Sequence, residues 1–249
     1  MRMLLHQLRA EQRLFWRSRE LAFFTFLLPI VFFLILGSAY GDEDIDGADG
    51  HLYLLAGMIG YGAAATTFAG LALLLVLRRE AGLLKRLRAT PLPGWTYLGA
   101  VLASIVIVFL LEVVVLVALA RLAFDAGPPD RVLSLLLAVL LGAAAFAALG
   151  VGLTAVIRSA EGSSAVVNAV YLPVTFISGS FFSADAFPAV LRGLAEALPL
   201  VHLIRLVRDI VVYDEELWAH PAGIAVVAAW GLGGVVVAVR GFRWEPRER

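Results

Sequence analysis

The sequence contains no cysteine, a single lysine and a single asparagine among its 249 residues. Without cysteine there is no disulfide framework and no thiolate metal site, and nothing in the sequence indicates redox chemistry. The formal net charge is zero, which excludes an overall basic protein built for nucleic acid. Only 16% of the residues are charged, whereas 61% are hydrophobic, which is more apolar surface than one soluble core could bury. Lipid must therefore be the solvent for much of the chain.

The first twenty residues lack the features of a cleavable signal peptide, because Met1 to Glu20 is charged and amphipathic. We therefore expect the first apolar run to be retained as structure. Within this segment, leucines occupy one helical face and arginines at i, i+4 spacing occupy another. The pattern predicts an interfacial helix over residues 1–20. The alternative is a solvated helix with incidental leucines.

Six apolar stretches are long enough to cross a membrane as helices. A spanning helix needs about 20 residues to cross the roughly 30 Å hydrocarbon layer. The six stretches run from Leu21 to Tyr40, Leu52 to Leu77, Tyr97 to Phe124, Val132 to Ile157, Ser164 to Phe182 and Trp218 to Val239. The sequence thus predicts an all-α polytopic membrane protein with six spans, forming one domain over residues 1–249.

The basic residues are segregated along the chain, and they favour the cytoplasmic side of a membrane. Fifteen of the 20 lie in segments that six spans would place on one side. These are Arg2, Arg9, Arg13, Arg17, Arg19, Arg78, Arg79, Lys85, Arg86, Arg88, Arg158, Arg240, Arg243, Arg247 and Arg249. The first loop on the other side is acidic, with Asp42, Glu43, Asp44, Asp46 and Asp49. We therefore predict a multi-pass protein of the cell (inner or cytoplasmic) membrane with both ends in the cytoplasm.

Two of the segments that connect the predicted spans are longer than a turn requires, and each is predicted to contain helix. The loop 78–93 is predicted to be helical until Pro91 and Pro93, with an apolar patch among basic side chains. By itself that patch could simply anchor the loop to lipid headgroups. The segment 183–217 is apolar but interrupted by prolines and charges, so neither half can span. It predicts outer re-entrant or interfacial helices, with His202, Arg205, Arg208 and Asp209 toward one face.

The residues in and around these two segments resemble those of a known protein family. Residues 79–93 (REAGLLKRLRATPLP), followed by Tyr97 and Leu98, resemble the first cytoplasmic loop of type-2 ABC exporter permeases. Leu172-Pro173, the run ISGSFF at 177–182, Phe187-Pro188, Leu198-Pro199 and RLVR at 205–208 are similar to that family's pattern around the fifth span. The resemblance extends over essentially the whole chain, including the order of the spans.

The resemblance implies a permease that pairs with a second copy, more readily as a homodimer than as a heterodimer, and is driven by a cytoplasmic ATPase dimer. The residues agree, because the sole lysine, Lys85, is followed by Arg86 and cannot complete a phosphate-binding loop. We expect this chain to bind no cofactor or metal and to hold no catalytic residue, with ATP and Mg²⁺ on the partner. The implied coupling helix consists of Leu83, Leu84, Lys85, Arg86, Leu87 and Arg88.

Glu112 lies deep within a span, where a charged side chain costs about 2.5 to 3.5 kcal/mol on insertion scales. It should face protein or water, either as a group that handles a polar or cationic substrate or as a hydrogen-bonded structural carboxyl. Asn168 is interpreted first as a bridge between helices. In the resembling family the second and fifth spans line the route between protomers. The implied candidates for cargo contact there are Tyr61, Thr66, Thr67, Asn168, Tyr171 and Thr175.

Two other classes of function remain as alternatives. A secondary transporter would show paired broken helices or several intramembrane charges, whereas Glu112 is the clearest such charge. An intramembrane hydrolase could use Ser178 or Ser180, but all four histidines fall at predicted span ends or in loops. The expected cargo is a hydrophobic or amphipathic drug or lipid-like molecule, and the sequence does not choose among drugs, lipids and lipid-linked glycans.

Overall fold

A computed structural model describes residues 2–40, 43–45, 47–127, 129–181 and 187–245. Within these ranges the chain is helical apart from one hairpin and the connecting turns. The helices are α1 (Arg2–Arg17), α2 (Arg19–Tyr40), α3 (Gly50–Gly62), α4 (Leu71–Glu80), α5 (Leu83–Arg88), α6 (Gly94–Phe124), α7 (Val132–Leu153), α8 (Ala160–Ile177), α9 (Ala189–Glu196), α10 (Pro199–Val212) and α11 (Pro221–Gly241). A π-helical segment, Ala63–Gly70, joins α3 to α4.

The hairpin consists of β1 (Asp44–Ile45) and β2 (Ala48–Asp49), which pair antiparallel with Asp44 opposite Asp49 and Ile45 opposite Ala48. Asp49 then caps α3, because its carboxylate accepts hydrogen bonds from the amides of His51 and Leu52. The sequence features named above that lie outside the described residues are Met1, Asp42, Asp46, Phe182, Arg247, Arg249 and the first residues of segment 183–217.

Five helices in the described part of the chain are long and apolar enough to cross a membrane. They are Arg19–Tyr40, the continuous helix Gly50–Glu80, Gly94–Phe124, Val132–Leu153 and Pro221–Gly241. The architecture is that of an all-α polytopic membrane protein, as the sequence predicted. α8 has 18 residues and would cover about 27 Å, but Glu161 and Asn168 lower its hydropathy. A sixth span formed by α8 therefore stays a prediction.

The helix directions define two ends of the molecule. The basic end holds α1, α5, the end of α7 and the start of α6, together with most of the arginines. The opposite end, here called the acidic end, holds the hairpin, the end of α6 and the starts of α7 and α11. There Arg131 pairs with Asp214 at 3.2 Å and with Glu216 at 2.9 Å, which ties the start of α7 to the segment before α11.

α9 and α10 form a helical pair that enters the bundle from the acidic end. A side chain at Gly60 of α3 would collide with Ile204, and one at Gly142 of α7 would meet Leu203 at 2.5 Å. Both glycines lie about ten residues, or about 15 Å, from the acidic-end start of their helices. Trp230, at similar depth in α11, donates to the carbonyl of Ala197 in the turn between α9 and α10 at 3.0 Å. The turn thus lies near the middle of the bundle.

Several predicted span boundaries shift by a few residues. The fourth span was predicted to reach Ile157, but α7 ends at Leu153 because the following turn presents its carbonyls to another helix. α8 begins at Ala160, where the Ser159 hydroxyl accepts a hydrogen bond from the Gly162 amide and caps the helix. Its last helical residue is Ile177, since Gly179 adopts a left-handed conformation two residues later.

Candidate functional site

The segment that was predicted to couple the chain to a partner is a short helix, α5, separated from α4 by a tight turn. Gly82 makes this turn with φ of +67°, a conformation that glycine adopts without steric cost. Leu84 is fully buried and packs with Leu71, Leu75 and Tyr97. In contrast, the remaining side chains of α5 are exposed or half-buried: Leu83, Lys85, Arg86, Leu87 and Arg88. A partner can therefore contact those five, whereas Leu84 fixes α5 to the permease from within.

Arg79, one turn before α5, anchors the end of α4 to the end of α7. Its side chain is only 2% exposed, and its guanidinium donates to the carbonyl of Thr154 at 3.0 Å and to that of Ile157 at 2.7 Å. A third bond, of 3.1 Å, goes to the Glu80 carboxylate. The carbonyls that follow a helix carry partial negative charge and have no intrahelical donors, so a buried cation satisfies them. The anchor fixes where α5 begins.

Arg78 makes a second polar connection, to the amino-terminal helix. It donates to Glu11 at 2.7 Å and to the Tyr97 hydroxyl at 2.8 Å, so that α1, α4 and α6 meet at one ion pair. Further along α1, Gln12 donates to the hydroxyl and the carbonyl of Ser104, each at 3.0 Å. α1 is thus hydrogen-bonded to spanning helices, beyond any interaction with headgroups. Sequence reasoning missed these contacts of Arg78 and Arg79, because it used both residues to assign topology and Arg79 as part of the loop that resembles the family.

Glu112 faces protein at the centre of the bundle. Its side chain is 1% exposed, and one carboxyl oxygen accepts a 2.8 Å hydrogen bond from the Thr66 hydroxyl in the π-helical segment. The other oxygen, Oε1, has no hydrogen-bond partner among the described residues. It lies against Gly62, where an added Cβ would come within 2.5 Å of it. The hydrogen bond between Thr66 and Glu112 joins two candidate residues that were predicted separately. Thr66 lies in the π-helical segment, and such segments are frequent at functional sites.

Tyr61 and Tyr171 form a second contact between residues that were predicted as candidates. Their ring centroids are 6.1 Å apart, which brings α3 against α8. The ring of Phe181 packs at an angle against the same group, 5.5 Å from that of Tyr61, and Phe32 of α2 lies 5.4 Å from Phe181. Tyr61 is also the residue before Gly62, so this aromatic group adjoins the Glu112 site. The aromatic contribution of Phe32 and Phe181 was not predicted, because nothing in the sequence places α2 beside the end of α8.

The other three predicted residues are not brought into this group. The Thr67 hydroxyl donates to the Ala63 carbonyl at 2.6 Å, and that of Thr175 donates to Leu172 at 2.9 Å and to Tyr171 at 3.1 Å. Both threonines are fully buried, so their hydroxyls serve their own helices in this conformation. Asn168 is exposed and donates to Ser164, one turn back on α8, at 3.3 Å. The interpretation of Asn168 as a bridge between helices of one chain therefore finds no such contact in the described structure.

Charged side chains of α9 and α10 are paired at positions that run from the middle of the bundle to the acidic end. Arg205 contacts both carboxylate oxygens of Glu196 and lowers its pKa below the ordinary value, because the paired carboxylate is favoured. Arg208 lies over the Tyr53 ring at 3.5 Å, an arrangement typical of a cation–π contact. His220, just before α11, contacts Glu215 and lies 3.5 Å from Asp209 of α10. These pairs connect α10 to α3, α9 and α11.

Comparison with known proteins identifies the class. The sequence model of the ABC-2 type transporter family matches residues 4–212, which hold every candidate residue described above. The chain belongs to this family, and it is a membrane subunit of an ABC transporter. Nodulation protein J of Rhizobium leguminosarum bv. trifolii is 38% identical over 68 residues. That match spans 27% of this chain and only 26% of the relative's length.

Proposed function

We propose that this chain is the permease of an ABC exporter, paired with a second copy and driven by a cytoplasmic ATPase dimer that binds ATP and Mg²⁺. The observation that carries the proposal is α5, a short helix with exposed basic side chains at the basic end. Arg79 holds its start against the turn after α7, and Leu84 holds it against α6. A helix anchored in this way can transmit a push from a bound partner to α4, α6 and α7 together.

The proposed orientation puts both chain ends and α5 in the cytoplasm. The cargo is proposed to be a hydrophobic or amphipathic drug or lipid-like molecule, because the groups brought together in the bundle are mainly aromatic with one carboxyl. The hydrolase alternative gains no support, since the buried hydroxyls of Ser178 and Ser180 have no hydrogen-bond partner in the described part of the chain.

The single lysine provides a direct test of α5 as a coupling helix. Lys85 is exposed and is the only side-chain amine in the sequence. An amine-reactive photo-crosslinker that is attached to the purified permease before mixing should therefore join it to its ATPase through Lys85 on illumination in reconstituted membranes. Lys85→Arg keeps the charge and removes the amine, so it should abolish the crosslink while cargo-stimulated ATP hydrolysis persists. A crosslink that survives Lys85→Arg would place the contact elsewhere.

A charge-reversal pair separates coupling from lipid anchoring. Lys85→Glu on α5 should weaken co-purification with the ATPase, whereas Arg13→Glu on the exposed face of α1 should leave it intact. Each basic residue near an anionic membrane surface contributes about 1 kcal/mol to membrane attraction. If α5 merely rested on headgroups, charge reversal at the two positions would therefore have equal effects. Equal effects of the two variants at matched membrane abundance would contradict the proposal.

The role of Glu112 in the cargo route has its own test. Glu112→Gln keeps a hydrogen-bond acceptor for Thr66 and replaces the ionisable carboxyl by a neutral amide, so assembly should survive. We expect transport of exported compounds to change by more than the membrane abundance does. Thr66→Val, which removes the donor but not the carboxyl, is the matched variant. If both variants transport every exported compound at the normal rate, Glu112 is a structural residue only.

A further inference from the structure

A groove on the membrane-facing side of the bundle has no role in the function proposed above. It lies between α6, α7 and α11 near the basic end and has a volume of about 540 Å³. Alanines on α6 and α7, including Ala103, Ala144 and Ala148, leave the space that larger side chains would fill. Phe242 and Trp244, which follow α11, close its basic-end side. The volume is typical of small-molecule sites, which measure about 300 to 1,000 Å³.

A smaller and more polar cavity of about 280 Å³ adjoins this groove. This cavity lies between α5 and the start of α6. Among the described residues that line it, Arg88 is the one with a charged side chain. The two cavities share Trp244, whose ring lies 6.2 Å from that of Tyr97. A side chain at Gly94 would come within 2.8 Å of the same indole, so the tail packs closely against the start of α6. An apolar cavity and a basic cavity thus meet at a tryptophan.

We propose that the two cavities together bind one anionic phospholipid, with an acyl chain in the groove and the phosphate at Arg88. The inference rests on the chain being a membrane protein, and because Arg88 is also one of the α5 side chains open to a partner, it is tested on the purified permease without an ATPase. The order of groups matches that of a lipid: an apolar groove, then an amphipathic indole of the kind that favours the headgroup region, then a guanidinium that can bind a phosphate through two hydrogen bonds.

Charge argues for a lipid over a second copy of the chain. Arg240 and Arg243 are exposed beside the tail residues that close the groove, and Arg88 lines the adjoining cavity. A two-fold partner seated on this face would place the patch that holds these arginines against the same patch of the other copy, and facing patches of like charge are unfavourable. An anionic headgroup is attracted by Arg88, which lines the adjoining cavity, and Glu245, exposed beside Trp244, lines neither cavity. The described linings of both cavities contain no acidic side chain that would repel it.

The test is lipid retention by the purified full-length chain, measured by native mass spectrometry during titration with phosphatidylglycerol or phosphatidylcholine. We expect one phosphatidylglycerol to bind saturably and more tightly than phosphatidylcholine. Arg88→Gln should weaken phosphatidylglycerol about fivefold, the effect of roughly one basic residue at a membrane surface, and leave phosphatidylcholine unchanged. Arg13→Gln, at an exposed arginine of α1, is the matched charge control and should have no effect on the retained lipid.

A second pair of variants tests the groove. Ala144→Leu places bulk in it and should reduce binding of both lipids, whereas Ala118→Leu, at an exposed position of α6 outside the groove, should not. Equal retention of the two lipids together with no effect of Arg88→Gln would overturn the proposal. So would a shift from dimer to monomer caused by Ala144→Leu, because the groove would then be an interface between copies. If Ala144→Leu fails to fold, the comparison of Arg88→Gln with Arg13→Gln still decides the question.

Discussion

The two ends of the molecule hold their charges in opposite ways. At the basic end, Arg79 is 2% exposed, and the side chains of Arg78 and Glu11 are 13% and 4% exposed. At the acidic end, those of Arg131 and Asp214 are 44% and 51% exposed, and those of Arg205 and Glu196 in the adjoining helical pair α9 and α10 are 43% and 48% exposed. Both ends are rich in ion pairs, but one set lies within the packed protein and the other lies at its surface.

This difference has a mechanical consequence. Breaking a buried pair by removing one partner costs about 3 to 5 kcal/mol, because the other charge is left without compensation. An exposed pair contributes about 0 to 1 kcal/mol. α1, α4, α5, α6 and the end of α7 should therefore move as one body, whereas the contacts between α9, α10 and the rest of the acidic end can rearrange at little cost. A transporter that is driven from the basic end and opens at the acidic end would need this asymmetry.

The largest effect is expected for Arg79→Ala. The substitution leaves the carbonyls of Thr154 and Ile157 buried without a donor, and at about 1 to 3 kcal/mol for each we expect the free energy of unfolding to fall by about 2 to 6 kcal/mol. Thermal unfolding of the purified protein in detergent would measure this. Arg158→Ala, at an exposed arginine of the same end, should change the midpoint little. Similar midpoints for the two variants would show that the basic end is not held by its buried cation.

An intermediate effect is expected at the centre of the bundle, between the two ends. Gly62→Ala brings a methyl group within 2.5 Å of Glu112 Oε1, and crowding of this kind in a packed core costs about 1 to 3 kcal/mol. The same measurement of thermal unfolding applies. Gly233→Ala is the matched control, because a Cβ there meets no atom within 4 Å. The double variant Gly62→Ala with Glu112→Ala should recover part of the loss if the crowding acts through the carboxyl.

The contrast between the ends was only partly visible in the sequence. The spanning helices could be predicted because length and apolar composition alone decide them, and the family resemblance identified the α5 loop. The separate roles of Arg78 and Arg79 could not be predicted, because the two are adjacent residues of the same type. Adjacent residues of a helix point about 100° apart, so Arg78 reaches Glu11 and Arg79 reaches the turn after α7. Their partners lie 67 and 75 residues away in sequence.

A similar limit applies to the candidate residues inside the bundle. Tyr61, Thr66, Glu112 and Tyr171 were predicted individually, and the structure places them in two contacting pairs. Thr67 and Thr175 look equally suitable in the sequence. However, a threonine in a helix can turn its hydroxyl back to a carbonyl three or four residues earlier, as both do here. Whether a threonine hydroxyl bonds its own helix or another helix depends on which helix lies beside it. The periodicity of the sequence does not identify that neighbouring helix.

The smallest effect is expected for Arg205→Ala in the helical pair α9 and α10. Because the pair with Glu196 is nearly half exposed, removing it should change the free energy of unfolding by no more than about 1 kcal/mol. A double-mutant cycle with Glu196→Ala isolates the pair from any other contact of either side chain.

The pH dependence of that cycle gives the last and most specific expectation. In the folded protein the pKa of Glu196 lies below its ordinary value near 4.5, so the pair stabilises the fold fully above that value. The stabilisation is lost as the pH falls through the lowered pKa, and the coupling energy should therefore shrink toward zero in acid. Unfolding measured between neutral pH and about pH 3 would follow this loss. A coupling energy at neutral pH as large as the effect of Arg79→Ala would mean that the acidic end is held as firmly as the basic end. The proposed division between a rigid driven end and an adjustable opening end would then have to be abandoned.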